Sequence, residues 1–414
     1  SLPEYGPQVE RLERAGRWER GRLTRGAVDR LYGQRVPMSA SRMDKYKSCH
    51  FSYFMRYGLQ AEPRKPAGFT APEYGTFVHY VLEHVFRETA APGRELVKRV
   101  EHVLQSCPIG EESWGEELQK RLRAAVRAAV DRYTAEELGG LEHQSQRFRY
   151  LFRRLLRSVQ AVVDNVAQEL CASRFRPISF ELGFGSRGEL PPVELTAEGV
   201  TISVSGFVDR VDGWVENGRL HLRVVDYKTG RKSFDLTEVW NGLGLQMLLY
   251  LFAIERSKGK YAAAGRRPAG VLYVPGRVDV VSLEPGAGEA SLTKKRQKDL
   301  VRQGLLLRDE DVLQAMEPGD KPVFLPYEQN KKGELEGSLA TREQFALLEQ
   351  FVAGSLRDLA GQIFSGAVAP NPIVRGPKVS SCMYCDYQNA CHKDACQVAV
   401  RFMKKVKAAE FWDT

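Results

Sequence analysis

The chain lacks the features that would place it in a membrane or outside the cell. No stretch approaches the roughly eighteen consecutive apolar residues that a transmembrane helix needs, and no signal peptide opens the sequence. Seven cysteines in 414 residues do not suggest a secreted disulfide scaffold. We therefore expect a cytoplasmic location. Because the first residue is serine and not methionine, we also expect a fragment of a longer polypeptide.

The chain also lacks the phosphate-binding loop of nucleotide-driven motors. No Gly-x-x-x-x-Gly-Lys-Ser/Thr pattern occurs, and there is neither an internal repeat nor a low-complexity tract. We therefore expect no recognisable motor within these residues.

Positive charge is present in excess. The 61 Lys and Arg residues outnumber the 52 Asp and Glu residues, which gives a formal net charge of +9 and a pI near 9.1. The excess is concentrated in blocks at residues 11–35, 147–157 and 294–298. Such blocks suit a polyanionic partner, although solvated helix faces have the same composition. Charge alone does not separate DNA, RNA and acidic proteins.

Two β-rich segments, residues 201–211 and 220–228, are the most informative part of the chain. The first alternates small or polar residues with apolar residues at period two. Asn217-Gly218 lies between the segments, and this dipeptide is the strongest short-range signal for a two-residue hairpin with a type I′ turn. The sequence therefore predicts an antiparallel pair with a defined register.

That register sets Asp209 directly opposite Asp226, with Cβ atoms roughly 4.5–5.5 Å apart. Like charges in this position are destabilising, so we expect a divalent cation between them. Lys228 is two residues beyond Asp226 and shares its face. A cation held there would activate a bound water, and the lysine would orient that water or offset charge, which indicates a metal-dependent nuclease. The alternative interpretation is an exposed hairpin with scattered charges.

The remaining patterns predict an α/β (α+β) architecture, a mixed sheet flanked by helices. Strands are predicted at residues 177–184, 201–211, 220–228 and 269–274, and helices at 74–89, 236–256 and 345–364. Residues 1–38 are predicted to form a basic N-terminal arm. Residues from about 94 to 171 are almost entirely helix-like and polar, which favours a helical insertion.

Two of the predicted helices each contain a pair of polar residues at i, i+4 spacing. His79 and Glu83 share one face of the first of these helices, and histidine is a good additional metal ligand. Gln246 and Tyr250 repeat the spacing on the helix after the hairpin. In the functional interpretation, Gln246 and Tyr250 reach the nucleic acid or the attacking water. A packed or surface histidine and a core tyrosine are the alternatives.

These motifs occur together in one known family. Gly-x-x-x-His-x-x-x-Glu, Gly-Phe-Val-Asp-Arg-Val-Asp, Asp-Tyr-Lys-Thr-Gly and Gln-x-x-x-Tyr follow one another in this order. The set resembles the RecB-type branch of the PD-(D/E)XK nuclease superfamily, which implies a restriction-endonuclease-like mixed sheet. The resemblance spans residues 39–395, with a catalytic core at about 172–280, and leaves 396–414 as a C-terminal helical tail.

The resemblance implies a role for each matched residue. The implied ligands of a catalytic Mg²⁺ or Mn²⁺ are the side chains of His79, Asp209 and Asp226 and the backbone carbonyl of Tyr227. Lys228 matches the catalytic lysine, and Gln246 and Tyr250 match a supporting catalytic motif. Glu83 and Asp212 lie inside matched motifs without an assigned role.

A second site is indicated by the cysteines. Cys382-x-x-Cys385-x5-Cys391 supplies three thiolates within one short segment, and Cys49 is the best candidate for a fourth. Four thiolates fit either a structural zinc ion or an iron–sulfur cluster, and the spacing alone does not separate the two. Alternative ligands are Cys396, His50 and His392. The other cysteines, Cys107 and Cys171, are expected to be ordinary buried thiols.

The combination resembles the iron–sulfur-stapled, AddB-type members of the RecB-type branch. In that family one upstream cysteine and three C-terminal cysteines hold a 4Fe–4S cluster, which implies the ligands Cys49, Cys382, Cys385 and Cys391. Such a clip closes a very long loop. Its loss is expected to loosen the domain and not to remove a catalytic group.

The function implied is DNA cleavage. AddB-type nucleases cut one strand of DNA as a helicase unwinds it, which implies an AddA-like helicase–nuclease subunit as partner, a single strand or duplex end as substrate, and repair of double-strand breaks by recombination. One alternative is a nuclease-inactive DNA-binding or scaffolding module, against which the intact Asp209, Asp226 and Lys228 argue. The other is a stand-alone exonuclease with an iron–sulfur cluster, although such chains are much shorter.

Overall fold

The computed structural model describes most of the chain. The residues described are 5–16, 21–64, 71–89, 114–142, 144–185, 188–197, 200–230, 232–257, 265–278, 289–376, 379–393 and 400–413. Cys107 and Cys396 lie outside the described residues.

Helices make up the larger part of the secondary structure. They are α1 (Gly6–Gly16), α2 (Arg25–Tyr32), α3 (Ala40–Ser48), α4 (His50–Tyr53), α5 (Ala71–Thr89), α6 (Glu116–Glu136), α7 (Gln146–Ala172), α8 (Leu236–Trp240), α9 (Gln246–Arg256), α10 (Glu289–Asp299), α11 (Glu310–Met316), α12 (Arg342–Phe364), α13 (Gln388–Cys391) and α14 (Ala408–Trp412). A π-helical turn, Phe54–Gly58, follows α4. The predicted helices at 74–89 and 345–364 are confirmed as α5 and α12.

The strands are shorter and fall into four sheets. They are β1 (Arg35–Met38), β2 (Arg176–Phe184), β3 (Val193–Ala197), β4 (Val200–Val204), β5 (Gly206–Glu216), β6 (Arg219–Lys228), β7 (Gly265–Pro275), β8 (Gln303–Leu307), β9 (Tyr327–Gln329), β10 (Leu335–Gly337), β11 (Leu339–Ala340), β12 (Ile373–Gly376), β13 (Val379–Ser380) and β14 (Arg401–Phe402).

The central sheet has six strands in the order β11-β8-β7-β6-β5-β2. Strands β6 and β7 run parallel, whereas β2–β5, β5–β6 and β7–β8 are antiparallel pairs. Helix α9 packs on β6 and β7, and α5 packs on β2. The predicted mixed sheet flanked by helices is confirmed. Smaller sheets join β1-β4-β3, β9-β10 and β13-β12-β14.

The hairpin of β5 and β6 has the predicted turn. Asn217 and Gly218 both have positive φ, 49° and 71°, as a type I′ turn requires. The paired register runs from Glu216–Arg219 next to the turn to Arg210–Val225. The register prediction is therefore confirmed up to Arg210 and Val225, the residues immediately next to Asp209 and Asp226.

Residues 201–211, predicted as one strand, are divided between two sheets. The Ser205 amide donates to the Met38 carbonyl (2.8 Å) of β1, whereas Gly206 pairs with Phe184 of β2. The chain therefore passes from the three-stranded to the six-stranded sheet between two adjacent residues. A Cβ at Gly206 would overlap the Tyr250 hydroxyl, so glycine is required at this point.

The helix predicted at 236–256 is also divided, into α8 and α9. Gly242 and Gly244 between them have φ of 73° and 65°, a left-handed conformation that ends an α-helix. The Gly244 amide donates to the Asp44 carboxylate (3.0 Å), which joins the break to α3.

The basic N-terminal arm, predicted at 1–38, is not separate from the rest of the molecule. Strand β1 pairs in parallel with β4, and Val28, Val36 and Met38 are buried. The boundary at residue 38 is therefore crossed by sheet hydrogen bonds. The C-terminal tail is likewise not wholly helical, since β14 pairs with β12 before α14 begins.

The predicted helical insertion contributes to the core. Its described part consists of α6 and α7, and Val159, Val163 and Val166 of α7 are fully buried. Helix α6 packs against α5, and α7 contacts both helices. These helices therefore complete the hydrophobic core beside the sheet.

No helix in the described part of the chain is both long enough and apolar enough to cross a membrane.

Candidate active site

Three neighbouring strands each direct one carboxylate into the same region. Asp209 lies in β5 and Asp226 in β6, and both side chains are buried. Glu181 lies in β2, between the residue pairs Phe180–Arg210 and Leu182–Val208, so it faces Asp209 across the strands. The three acidic residues thus form a row across the sheet.

His79 of α5 connects the two strands of the hairpin. Its Nδ1 lies 3.3 Å from Asp209 Oδ1, and its Nε2 lies 2.7 Å from the backbone carbonyl oxygen of Tyr227. The Tyr227 amide in turn donates to Asp209 Oδ2 (2.7 Å). Burial lowers the pKa of His79, but the hydrogen bond and charge of Asp209 and the charge of Asp226 outweigh it and raise that pKa to about 9. Both ring nitrogens therefore carry hydrogen, and the imidazolium provides positive charge between the strands.

Asp226 forms an ion pair with the predicted catalytic lysine. Lys228 Nζ lies 2.5 Å from Asp226 Oδ2. Burial and the negative charge of Asp209 raise the pKa of Asp226 to about 6, against the opposing charge of Lys228. The two carboxylates are therefore close enough to repel each other, as the hairpin register predicts.

Glu181 is a member of the site that the sequence did not reveal. Ligand atoms of Glu181, His79 and Asp209 all lie within 4.8 Å of one another. Burial and the charges of Asp209 and Glu83 raise the pKa of Glu181 to about 7. Its φ is +47°, an uncommon conformation for a non-glycine residue that is often found at functional sites. The only signal in the sequence is an acidic residue inside an otherwise apolar strand, Ile-Ser-Phe-Glu-Leu-Gly-Phe.

This arrangement fits a divalent cation. Hard cations such as Mg²⁺ bind oxygen ligands at roughly 2.0–2.1 Å, and ligand atoms within 4.8 Å of one another can surround such an ion. The carboxylates that repel one another and the protonated His79 both indicate a position where positive charge is needed. A carboxylate and histidine metal site is therefore present, and Asp226 adjoins it.

Gln246 and Tyr250, predicted as catalytic, lie on α9. The Tyr250 ring is buried, stacks on Phe184 with ring centroids 5.3 Å apart, and places its hydroxyl beneath Gly206. Burial raises the pKa of Tyr250 to about 12, although a hydrogen bond with Gln246 lowers it. This is the position of a packing residue, and the catalytic role of the pair stays a prediction.

A fully buried ionic network lies next to the site. Glu169 of α7 accepts from Arg223 Nη2 (2.8 Å) and Arg302 Nε (2.9 Å). Asp212 accepts from Arg223 Nε (2.8 Å) and Arg210 Nη2 (3.0 Å). Arg210 also donates to the Tyr227 hydroxyl (3.1 Å), so the network ends on a residue of the site. Asp212, which lies inside one of the matched motifs, therefore accepts hydrogen bonds from two arginines, Arg210 and Arg223.

The four predicted cysteine ligands are brought together elsewhere in the fold. Cys49, Cys382, Cys385 and Cys391 all line one cavity of about 340 Å³. Cys49 lies between α3 and α4, and the other three lie in the segment after β13. Burial raises the pKa of the Cys382 thiol, opposed by the charge of Lys393 and supported by the other three sulfur atoms.

The alternative ligands differ in position. His392 lines the same cavity. His50 instead stacks on Tyr46 with centroids 4.3 Å apart, and burial with the charges of Arg401 and Lys47 lowers its pKa to about 4. Cys171 is half-buried on α7 and does not line the cavity.

The geometry agrees with a comparison against protein families. Residues 37–392 match the model of the PD-(D/E)XK nuclease superfamily, a range that includes all three carboxylates, His79 and Lys228. The chain belongs to the PD-(D/E)XK nuclease superfamily.

The similar proteins of this superfamily are much longer. An ATP-dependent helicase/deoxyribonuclease subunit from Clostridium novyi (strain NT) is 31% identical over 371 residues, which cover 89% of this chain and 31% of that protein. The protein of the same name from Moorella thermoacetica is 31% identical over 395 residues, 94% of this chain and 32% of the relative. This PD-(D/E)XK chain thus spans about a third of the length of the curated relatives it matches.

Proposed function

We propose that this chain is a metal-dependent deoxyribonuclease that hydrolyses phosphodiester bonds. One observation carries the proposal. Three carboxylates and one lysine from the adjacent strands β2, β5 and β6 converge with one histidine from α5. His79, Asp209, Asp226 and the Tyr227 carbonyl would hold Mg²⁺ or Mn²⁺, with Glu181 as an additional ligand. When bound, the ion lowers the pKa of a coordinated water and offsets charge on the phosphate.

The protein's own groups would do the remaining work. Lys228 would be released when Asp226 binds a cation in its place. The lysine would then orient the attacking water and donate to the phosphate. The Tyr227 amide holds Asp209 in place through its 2.7 Å hydrogen bond. Gln246 and Tyr250 would support the start of β5, where Gly206 lies against the tyrosine hydroxyl.

A basic cavity beside the lysine supports a nucleic-acid substrate. The cavity has a volume of about 340 Å³ and is lined by Lys228, Lys232, Arg277, Lys298 and one carboxylate, Asp299. Phosphate contacts from Lys and Arg supply most of the sequence-independent affinity for DNA. We assign this cavity to the backbone of the bound strand.

The biological setting follows from the similar proteins. Their names describe a subunit that belongs to an ATP-dependent helicase and deoxyribonuclease. We infer that this chain is the nuclease part of such an AddB-type protein and works with an AddA-like helicase–nuclease partner. Its substrate would be a single strand or a duplex end, and its role the repair of double-strand breaks by recombination.

We further propose that the cysteine site holds a 4Fe–4S cluster. A tetrahedral zinc ion with Zn–S bonds of about 2.3 Å needs sulfur atoms about 3.8 Å apart. Within the described part of the chain, the ligand groups that approach within 4.8 Å of one another do not include three of these thiols. A cavity of about 340 Å³ lined by all four thiols leaves room for a cluster and supports this assignment.

The test is cleavage by protein purified without oxygen. Wild-type protein with Mn²⁺ or Mg²⁺ is expected to degrade end-labelled single-stranded DNA, and Asp226→Ala is expected to lose this activity while it still binds the DNA. The proposal would be overturned if the wild type bound DNA and left it uncut. Equal degradation by both proteins would identify a contaminant.

A further inference from the structure

Phe207 is an exposed aromatic residue on β5, two positions before Asp209. Its side chain is 64% exposed, although most residues of β5 are buried. Side chains alternate across a strand, so Phe207 shares the face of Asp209, two residues further along. The Cα atoms of Phe207 and Asp209 are therefore roughly 7 Å apart along the strand.

The fold provides a dedicated place for this ring. Phe207 pairs across the strands with Gly183 of β2. A Cβ at Gly183 would lie 3.1 Å from Phe207 Cε1, so any larger residue there would force the ring to move. The absence of a side chain at Gly183 allows the ring to cover the sheet at this point. One side of the aromatic ring is supported in this way, and the other remains available to a ligand.

The ring also lies on the same side of the carboxylates as the catalytic lysine. Phe207 precedes Asp209 by two residues, and Lys228 follows Asp226 by two residues. Because β5 and β6 are antiparallel, both displacements point in the same direction. An aromatic surface and an ammonium group thus flank one end of the metal site. A nucleotide presents the matching pair, a planar base joined to a phosphate.

We propose that Phe207 stacks on the nucleobase next to the scissile phosphate and so selects unpaired DNA. This inference rests on the nuclease function proposed above. Stacking of a base on an aromatic side chain tolerates any sequence because every base has a π-face. In a duplex the base faces are already stacked on neighbouring bases, so only a single strand or a frayed end offers one. A protein surface is a poorer occupant because it would also cover the charged groups around the metal site.

Four variants separate stacking from general hydrophobic contact. Phe207→Ala is expected to lower kcat/KM on single-stranded DNA by about 5- to 150-fold, the range that corresponds to loss of one stacked base. Phe207→Leu is expected to lose nearly as much, and Phe207→Trp to retain activity. Phe402→Ala, the same substitution at an exposed position on the β13-β12-β14 sheet, is the matched control and is expected to have no effect.

The decisive comparison uses DNA with one abasic nucleotide at the position next to the cut. If the base stacks on Phe207, removing the base lowers kcat/KM of the wild type by the same factor as Phe207→Ala lowers it on intact DNA. Combining the abasic nucleotide with Phe207→Ala then causes no further loss. Equal losses from Phe207→Ala on intact and abasic DNA would overturn the proposal. Thermal unfolding of each variant checks that the sheet at Gly183 is intact.

A binding measurement keeps the two proposals separate. A single strand carrying 2-aminopurine is bound in Ca²⁺, and its fluorescence is expected to be quenched by the wild type and by Phe207→Trp but not by Phe207→Leu. Quenching without cleavage in Mg²⁺ would refute the nuclease function and leave the stacking site in place. Equal fluorescence with wild type and Phe207→Leu would overturn the stacking site, whatever the nuclease activity.

Discussion

Three acidic side chains, Glu181, Asp209 and Asp226, share one small region, and their repulsion dominates the electrostatics there. The pKa of Glu181 is raised to about 7 and that of Asp226 to about 6, in both cases by burial first and by the charge of Asp209 second. A divalent cation would relieve this repulsion. Each carboxylate is therefore expected to contribute to metal affinity.

Glu181→Gln tests whether the third carboxylate is a ligand. The amide keeps the size of the side chain and removes its charge, so the Mg²⁺ concentration for half-maximal cleavage is expected to rise at least about tenfold. The measurement is cleavage of single-stranded DNA against Mg²⁺ concentration. Glu194→Gln, at an exposed position on β3, is the control. An unchanged Mg²⁺ dependence in Glu181→Gln would show that this carboxylate does not bind the ion.

The protonation of His79 gives a second prediction at this scale. Its pKa of about 9 means that the ring is charged at neutral pH, yet a metal ligand has to be neutral. Metal binding at about pH 7.5 is therefore expected to release about one proton from this residue, and affinity is expected to rise with pH up to about 9. Titration calorimetry with Mn²⁺ in buffers of different ionisation enthalpy measures the release.

The control for this titration is His79→Asn, whose side chain does not titrate. Its proton release is expected to fall by about one relative to the wild type. Proton release that is the same in both proteins would show that the metal does not displace a proton from His79.

The residues of the site differ in how far the sequence could reveal them. Asp209, Asp226 and Lys228 are predictable because a two-residue turn fixes the register of β5 and β6. Glu181 is not, since β3 and β4 lie between its strand and β5, and no local turn fixes that register. Its positive φ also departs from regular strand geometry.

Secondary-structure elements meet at the buried ionic network. Glu169 belongs to α7, Arg210 and Asp212 to β5, Arg223 to β6, and Arg302 directly precedes β8. Three arginines and two carboxylates leave one positive charge in excess, in a region where all five side chains are fully buried. Nearby arginines lower the pKa of Glu169, against the effect of burial. Helix α7 is thus held to the β5–β6 hairpin by charge.

Removal of Glu169 is expected to be strongly destabilising. Glu169→Ala leaves Arg223 and Arg302 without their carboxylate in a water-free region, and such losses cost about 3–5 kcal/mol. Urea unfolding followed by fluorescence measures the change in free energy of unfolding. Glu169→Gln keeps the shape of the side chain, so its loss in free energy of unfolding measures the contribution of the charge alone.

The matched control is Glu116→Ala on α6. Glu116 lies 3.6 Å from Lys120, and both side chains are exposed, so this loss is expected to cost about 0–1 kcal/mol. Similar small effects at both positions would mean that the buried network does not hold α7 to the sheet.

Elements stabilised by distant partners are those that sequence patterns missed. The division of 201–211 depends on a hydrogen bond from Ser205 to Met38, far away in the chain. Strand β8 is only five residues long and takes its conformation from pairing with β7. Local periodicity contains no information on either partner, whereas it does predict α5, α12, β2 and β6.

At the scale of the whole molecule, the cysteine site joins the two ends of the nuclease fold. Hydrogen bonds accompany it: the Ser381 hydroxyl donates to the Ser48 carbonyl (3.0 Å) across 333 residues. The Tyr387 hydroxyl donates to the Ala61 carbonyl (2.6 Å). These contacts are outside the thiol ligands, so part of the closure is expected to survive loss of a cluster.

Cys49→Ser tests the closure, because it removes the one ligand that is distant in sequence. Iron content and visible absorbance are expected to fall, and the unfolding temperature with them, since a cross-link over so long a loop contributes up to roughly 5 kcal/mol. Cleavage of single-stranded DNA at low temperature is expected to persist, because Cys49 is not among the residues of the metal site. Cys171→Ser on α7 should keep its iron. If Cys49→Ser kept its iron and its stability, the Cys49 thiol would not be a ligand. Stoichiometric zinc in the wild type would show that the site holds a single ion and not a cluster.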